Sequence, residues 1–311
     1  MILTVTPNVA LDITYRVDQL TPGSSHRVRG IEERAGGKGV NVAGVLRALG
    51  HDVVVLGFVG GATAGAVTAD LARGGLAHEL IAVEGPTRRT IAVVDSSNGE
   101  ATLFHEAGPR VPATSWDDLE SRLAARLPRA TALVVSGSLP PGSDAAACAR
   151  LARLAAAHRV TVLVDTVGPA LLQAAAAGAD IVKPNAGELL DTIGVSDVAE
   201  AAAELRRRGA KAVVVSLGAA GMAAFTPEGS WRAAPPTRLA GNPTGSGDAA
   251  AAALIAGAVA GAPWADRLRH AVALSAAAVL QPTAGIVDLR DYRRLVPQIL
   301  VEERHALGLD R

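Results

Sequence analysis

Short apolar runs recur along the chain, each bounded by glycine, proline or charged residues: "ILTVT" (2–6), "DVVVLGFV" (52–59), "ALVVSGS" (132–138), "VTVLVD" (160–165), "ADIVKPN" (179–185) and "KAVVVSLG" (211–218). They are continuous rather than alternating and rich in β-branched residues, which predicts strands buried on both faces. Between them stand helical patterns such as "NVAGVLRALG" (41–50), "DAAACARLARLAAAH" (144–158) and "VAEAAAELRRRG" (198–209). Together they predict a single doubly wound α/β domain over residues 1–311, with a mostly parallel sheet flanked by helices. Ligands of such folds bind outside the carboxyl ends of the strands.

Two stretches break this rhythm. Residues 12–34, "DITYRVDQLTPGSSHRVRGIEER", and 86–106, "PTRRTIAVVDSSNGEATLFHE", alternate polar and apolar positions between turn signals. The expectation is a small antiparallel β-sheet, half exposed, acting as a lid over a cleft or as a pairing surface. Ordinary edge hairpins are the plainer alternative. Exposed strand edges attract partners, so a homodimer through this layer is expected.

Composition narrows the class. Hydrophobic residues make up 49% of the chain but aromatics only 3%, so the core is built from Ala, Val and Leu. Thirty basic residues balance thirty acidic ones, which argues against a nucleic-acid or membrane-surface protein. Cys148 is the only cysteine, which excludes an internal disulfide and a cysteine-based zinc site. The seven histidines show no metal spacing. The opening "MILTVTPN" reads as a strand rather than a signal peptide, and the longest apolar run, Ala249–Ala262, is too short and too rich in Ala and Gly for a membrane span of roughly 20 residues. A cytoplasmic enzyme or binding protein is expected.

Candidate chemistry gathers at two glycine turns. "GNPTGSGDAAAAALIAG" (241–257) sets three glycines and one carboxylate, Asp248, at the start of an alanine-rich helix. It fits the dinucleotide fingerprint only loosely, because Pro243 interrupts any strand leading in. A Walker loop fails too, since Gly37-Lys38 is followed by Gly39. Asp248 can simply cap the helix. Alternatively the amides of residues 245–248 hold a phosphate while Asp248 takes a proton from an acceptor hydroxyl. Capping needs fewer small residues than this turn carries, so phosphoryl transfer is favoured. The second turn, "ERAGGKGVNVAGVLRALG" (33–50), offers close backbone approach at Gly36 and Gly37, a cation at Lys38 and an amide at Asn41. Its plain alternative is a strand-to-helix turn with a solvated lysine. Asp12, in "NVALD", reaches the same strand end and suits sugar hydroxyls.

Five segments then appear in order: "AGGKGVN", "VSGSLPPG" (135–142), "KPNAGE" (183–188), "VSLGAAG" (215–221) and "NPTGSGD". With them the chain, from Leu3 to the region of Leu289, resembles the PfkB (ribokinase-like) family of carbohydrate kinases, in its branch of 1-phosphofructokinases and tagatose-6-phosphate kinases. The resemblance implies a ribokinase-like core with a β lid that doubles as a dimer clasp. It also implies ATP with magnesium, and transfer of the γ-phosphoryl group to a sugar hydroxyl. By motif match Asp248 is the base, and Gly245, Ser246 and Gly247 form the anion hole. Asn185 and Glu188 organise magnesium through its waters, and Lys183 approaches the nucleotide phosphates. Ser216, Gly218 and Gly221 line the nucleotide side; Asp12, Gly37, Lys38 and Asn41 line the sugar side.

A phosphorylated ketohexose as acceptor needs further cations, ideally arginine. Arg27 and Arg88 match the branch and would form a clamp with Lys38, whereas Arg89 is expected to be exposed. Ser138 is a further substrate contact and Glu106 a substrate-side candidate. Val9 stands where the branch usually has proline, which leaves the acceptor more open. The expected reaction converts fructose 1-phosphate to fructose 1,6-bisphosphate. Tagatose 6-phosphate, fructose 6-phosphate, or an unphosphorylated sugar or nucleoside are the alternative acceptors, and a sensor without catalysis is disfavoured.

Overall fold

The computed structural model describes residues 1–237, 239, 241–281 and 283–304. In chain order the first elements are β1 (Ile2–Thr6), β2 (Ala10–Val17), β3 (Gly30–Gly36), α1 (Lys38–Ala48), β4 (Val53–Val59), α2 (Thr63–Arg73), β5 (Ala77–Ala82), β6 (Arg88–Asp95), β7 (Ala101–His105) and α3 (Ala113–Arg126). Strands and helices then alternate regularly. The run is β8 (Ala132–Ser136), α4 (Ala147–Ala157), β9 (Thr161–Asp165), α5 (Gly168–Ala176), β10 (Ile181–Val182), α6 (Ala186–Ile193), α7 (Val198–Arg207) and β11 (Ala212–Ser216). Last come β12 (Met222–Phe225), β13 (Ser230–Ala234), α8 (Ser246–Val259), α9 (Trp264–Val279), α10 (Leu289–Leu295) and β14 (Leu300–Arg304).

The main sheet has the order β14-β13-β12-β11-β10-β9-β8-β1-β4-β5. From β5 to β11 every neighbouring pair is parallel, and β12 to β14 extend the edge antiparallel. The central strands are continuous apolar runs because both faces are covered. Ile2, Ala132 and Val134 point into one core with α1, α8 and α9, while Leu3, Val5, Leu133 and Val135 point into the other with α3, α4 and α5. Strand β10 is shorter than its run because Asp180 turns to accept the Val162 amide at 2.8 Å and Pro184 has no amide to donate. Helix α1 starts at Lys38, three residues earlier than the pattern indicates, so Lys38 and Asn41 both lie in its first turn.

The smaller sheet, β3-β2-β6-β7, draws its strands from residues 10–36 and 88–105. Pairs β2–β3 and β6–β7 are antiparallel, but β2–β6 is parallel, which corrects the expectation of an antiparallel layer. The reason is topological: β2 leaves the carboxyl end of β1 and β6 leaves that of β5, so both enter the layer from the same side. The chain runs from β1 to β4 and β5 on one flank, then returns to β8 on the other, which opens a crevice at the carboxyl ends of β1 and β8. Among the described residues no helix is long and apolar enough to cross a membrane. Leu133 is fully buried in β8, so Leu133→Ala is expected to cost about 2–5 kcal/mol, read by urea unfolding.

Candidate active site

A cleft of about 1150 Å³ opens at that crevice, between the strand ends below and the small sheet above. It holds both glycine turns.

Helix α8 begins with Gly245 in the left-handed region (φ 80°), where a Cβ would lie 2.8 Å from that of Ala284. Asp248 sits in the first turn but caps nothing. Its carboxylate is 5% exposed, turned into the cleft, and Oδ2 accepts from Asn41 Nδ2 at 2.8 Å. Burial, reinforced by the charge of Asp165, pushes Asp248 up to about 6, while Lys38, Asn41 and Lys183 pull the other way. Ser246 donates both its amide (3.2 Å) and its hydroxyl (2.7 Å) to the Pro243 carbonyl. The amides of Gly245, Gly247 and Asp248 have no partner among the described residues, so the anion cradle consists of three donors rather than four.

Beneath the cradle lies a charge cluster whose central acid, Asp165, sequence reasoning did not single out. Asp165, at the end of β9, is 1% exposed and faces two lysines. Lys38 Nζ donates to its Oδ1 at 3.0 Å, and Lys183 Nζ lies 2.9 Å from Oδ2 in an ion pair poorly aligned for a hydrogen bond. Burial works to raise Asp165, yet the two ammonium groups outweigh it and hold the carboxyl below its usual range. Lys38 is raised by Asp165 foremost, and by Glu188, whose Oε1 is 3.6 Å away. The signal available in the sequence was the acid closing the buried run "VTVLVD". Charged residues almost never end such a run in the core without a partner.

On the small sheet, Asp12, Thr90 and His105 occupy one row across β2, β6 and β7 and face the cleft. Burial raises Asp12, against the pull of the Thr90 hydroxyl and Arg88. A Cβ on Gly36 would sit 2.1 Å from the Asp12 carboxyl, so glycine there makes room for the acid. Arg88 lines the cleft, anchored by its Nε on the Asn8 carbonyl at 3.1 Å. Arg27 does not: it is exposed on the β2–β3 connection, a segment with Pro22, Gly23 and no buried apolar anchor. Arg89 is exposed and pairs with Glu106 at 2.6 Å, which ties up that acid at the cleft rim. Ser138 lines the cleft within 3.5 Å of Asn8 Nδ2. Val9 is buried in the core, and β2 begins at Ala10 without a proline before it.

Toward the other end, Ser216, Gly218 and Gly221 line the cleft around the turn after β11. Gly221 has φ 85° and a Cβ there would meet the Ala233 carbonyl at 2.0 Å. Asn185 and Glu188 form a reciprocal cap on α6: Asn185 Oδ1 accepts the Glu188 amide at 2.8 Å and Glu188 Oε2 the Asn185 amide at 2.9 Å. Gly37, with φ 100°, turns the chain from β3 into α1 at the cleft edge. Among the described residues no group of three or more His, Cys, Asp or Glu side chains is placed to hold a metal.

A doubly wound sheet with a buried carboxylate beside open helix-start amides, at the topological switch point, has the build of an enzyme that moves phosphoryl groups onto alcohols. Residues 5–290 match the pfkB family of carbohydrate kinases, and the chain belongs to that family. It is 36% identical to the 1-phosphofructokinase of Rhodobacter capsulatus over 284 residues, covering 89% of this chain and 90% of that protein. With the tagatose-6-phosphate kinase of Staphylococcus epidermidis it shares 28% identity over 311 residues, 97% and 100% of the two chains. The solved structure of a possible 1-phosphofructokinase from Thermotoga maritima superposes with a TM-score of 0.90 at 26% identity, covering 98% and 99%. The chain is thus a carbohydrate kinase with a ribokinase-like fold, and membership of a kinase family implies use of ATP.

Proposed function

We propose that this kinase transfers the γ-phosphoryl group of ATP to fructose 1-phosphate, giving fructose 1,6-bisphosphate and ADP. The observation that carries the reading is Asp248, buried and held by Asn41, beside three open amides in a cleft that also holds Arg88 and Lys38. Asp248 accepts the proton of the attacking primary hydroxyl. The amides of Gly245, Gly247 and Asp248 stabilise the charge spreading over the transferred group. Lys183 faces the nucleotide phosphates, while Ser216, Gly218 and Gly221 bound the nucleotide. Asp12, Gly37 and Ser138 take the sugar, and Arg88 with Lys38 takes the acceptor's own phosphate. The relatives named 1-phosphofructokinase favour this acceptor. A cytoplasmic location goes with the reading, because ATP and phosphorylated sugars are cytoplasmic reactants.

Magnesium accompanies ATP in this reading. Asn185 and Glu188 carry oxygen donors of the right hardness, but the single side-chain oxygen of Asn185 and one of the two of Glu188 are engaged in the α6 cap. That donor set fits an ion held through its own waters, the habit of magnesium, better than one bound directly. When bound, the ion neutralises charge on the nucleotide phosphates.

Tagatose 6-phosphate is the second reading, favoured by the tagatose-6-phosphate kinase relative; fructose 6-phosphate presents the same groups. An unphosphorylated sugar would leave Arg88 unused. The chain pairs as a homodimer through the small sheet, where Ile31 and Phe104 are 63% and 56% exposed.

Asp248→Asn is expected to lower kcat by about 10²–10⁴-fold while ADP binding, read by calorimetry, stays near wild type. Because only ionised Asp248 accepts a proton, wild-type kcat/KM falls tenfold per pH unit below about 6, and this limb is absent in the variant. An ADP-release assay over a panel of ketohexose phosphates and free sugars identifies the acceptor. Arg88→Ala is expected to raise the KM of that acceptor roughly 10- to 100-fold, from losing charge-assisted bonds of roughly 1.5–3 kcal/mol, and an unchanged KM points to an unphosphorylated sugar. Light scattering should give twice the chain mass, and Phe104→Asp should shift it toward the single-chain value.

A further inference from the structure

Five charges share the floor of the cleft, and their pairing is lopsided. Asp248 on α8 is faced by Asn41 and Lys38 from α1, by Lys183 after β10 and by Asp165 at the end of β9; Glu188 on α6 reaches Lys38. Asp165 takes both ammonium groups, one on each oxygen, at 3.0 and 2.9 Å. Asp248 keeps a single neutral donor, Asn41, on Oδ2, and its Oδ1 makes no hydrogen bond among the described residues. Neither lysine forms an ion pair with it, yet the charges of both act on it. Lys183 Nζ lies 3.5 Å from where a Cβ on Gly247 would stand, against the turn that carries Asp248.

A buried carboxylate with two ammonium groups in reach pairs with them unless a better-placed acid competes. Paired in that way, Asp248 would have its open oxygen engaged and would be a weaker base. We propose that Asp165 is a positioning residue that holds Lys38 and Lys183 off Asp248, leaving the base an unengaged oxygen for the acceptor hydroxyl. The proposal rests on the reading of Asp248 as the base. It separates two jobs: the cations stay in the cleft, available to phosphates, and the base stays out of an ion pair.

The test is the pH dependence of kcat/KM for the full chain, measured for wild type, Asp165→Asn, Asp165→Asn/Lys183→Gln and Asp248→Asn, each checked for folding by thermal melting. In Asp165→Asn the charge that raises Asp248 is lost and the two ammonium groups turn to Asp248, so the acid limb is expected to move at least one pH unit lower. The kcat at pH 8 is expected to fall at least tenfold. In the double variant one of those cations is gone, so the limb returns part of the way but stays below the wild-type position. An acid limb unmoved in Asp165→Asn, or a double variant matching the single one, overturns the proposal. Should Asp165→Asn not fold, the double variant decides alone, because it loses one charge of each sign. Its limb lies below wild type if Asp165 holds Lys38 away, and an unmoved limb overturns the idea. A limb that persists in Asp248→Asn shows instead that the base has been misassigned, which separates failure of that reading from failure of this one.

Discussion

The site depends on one hydrogen bond, from Asn41 to Asp248, which joins residues 207 positions apart. It exists only if the first turns of α1 and α8 lie almost in contact. Alanine makes that possible: residues 249–253 of α8 are all alanine and all buried, so neighbouring helices approach without large side chains between them. Glycine lets the segment after α9 close on α1 as well, since a Cβ on Gly44 would meet the Gly285 carbonyl at 2.8 Å and one on Gly285 the Asn41 side chain at 2.9 Å. The alanine-rich composition is therefore part of the active-site geometry as well as of the core.

Electrostatics sets the second constraint. Buried charges are tolerated when paired, and the strand ends supply Asp165 and Lys183 within one low-dielectric floor that also receives Lys38. The three open amides of the α8 turn add partial positive charge at the same place without bringing a full charge out of water. The outcome is a site preorganised for anions in which a carboxylate still survives unpaired. Glu188 joins both systems, because the oxygen left over from the α6 cap faces Lys38.

The core fold was legible because its code is local. Continuous β-branched runs separated by helical patterns have few arrangements other than a parallel sheet covered on both sides. The small sheet was legible as a layer but not in its strand directions, since whether β2 and β6 run parallel depends on where β1 and β5 release the chain. Both glycine turns stood out from composition, and the order of five motifs named the family. Asp165 did not stand out, because an acid after "VLV" looks like any strand end until the two lysines arrive. Arg27 shows the opposite case: the motif match suggested a ligand contact, and the loop that carries it leaves it exposed outside the cleft.

The sequence alone determined the α/β class, the family and the residues of the two glycine turns, because backbone preference and apolar periodicity act over neighbouring positions. Only the tertiary structure decided that Asp248 is no helix cap, that Ser246 serves its own turn, and that two lysines share one buried carboxylate. Those outcomes depend on distances between segments far apart in the chain. Which acid a lysine pairs with is chosen by burial and reach, and neither is set until the sheet and helices have packed.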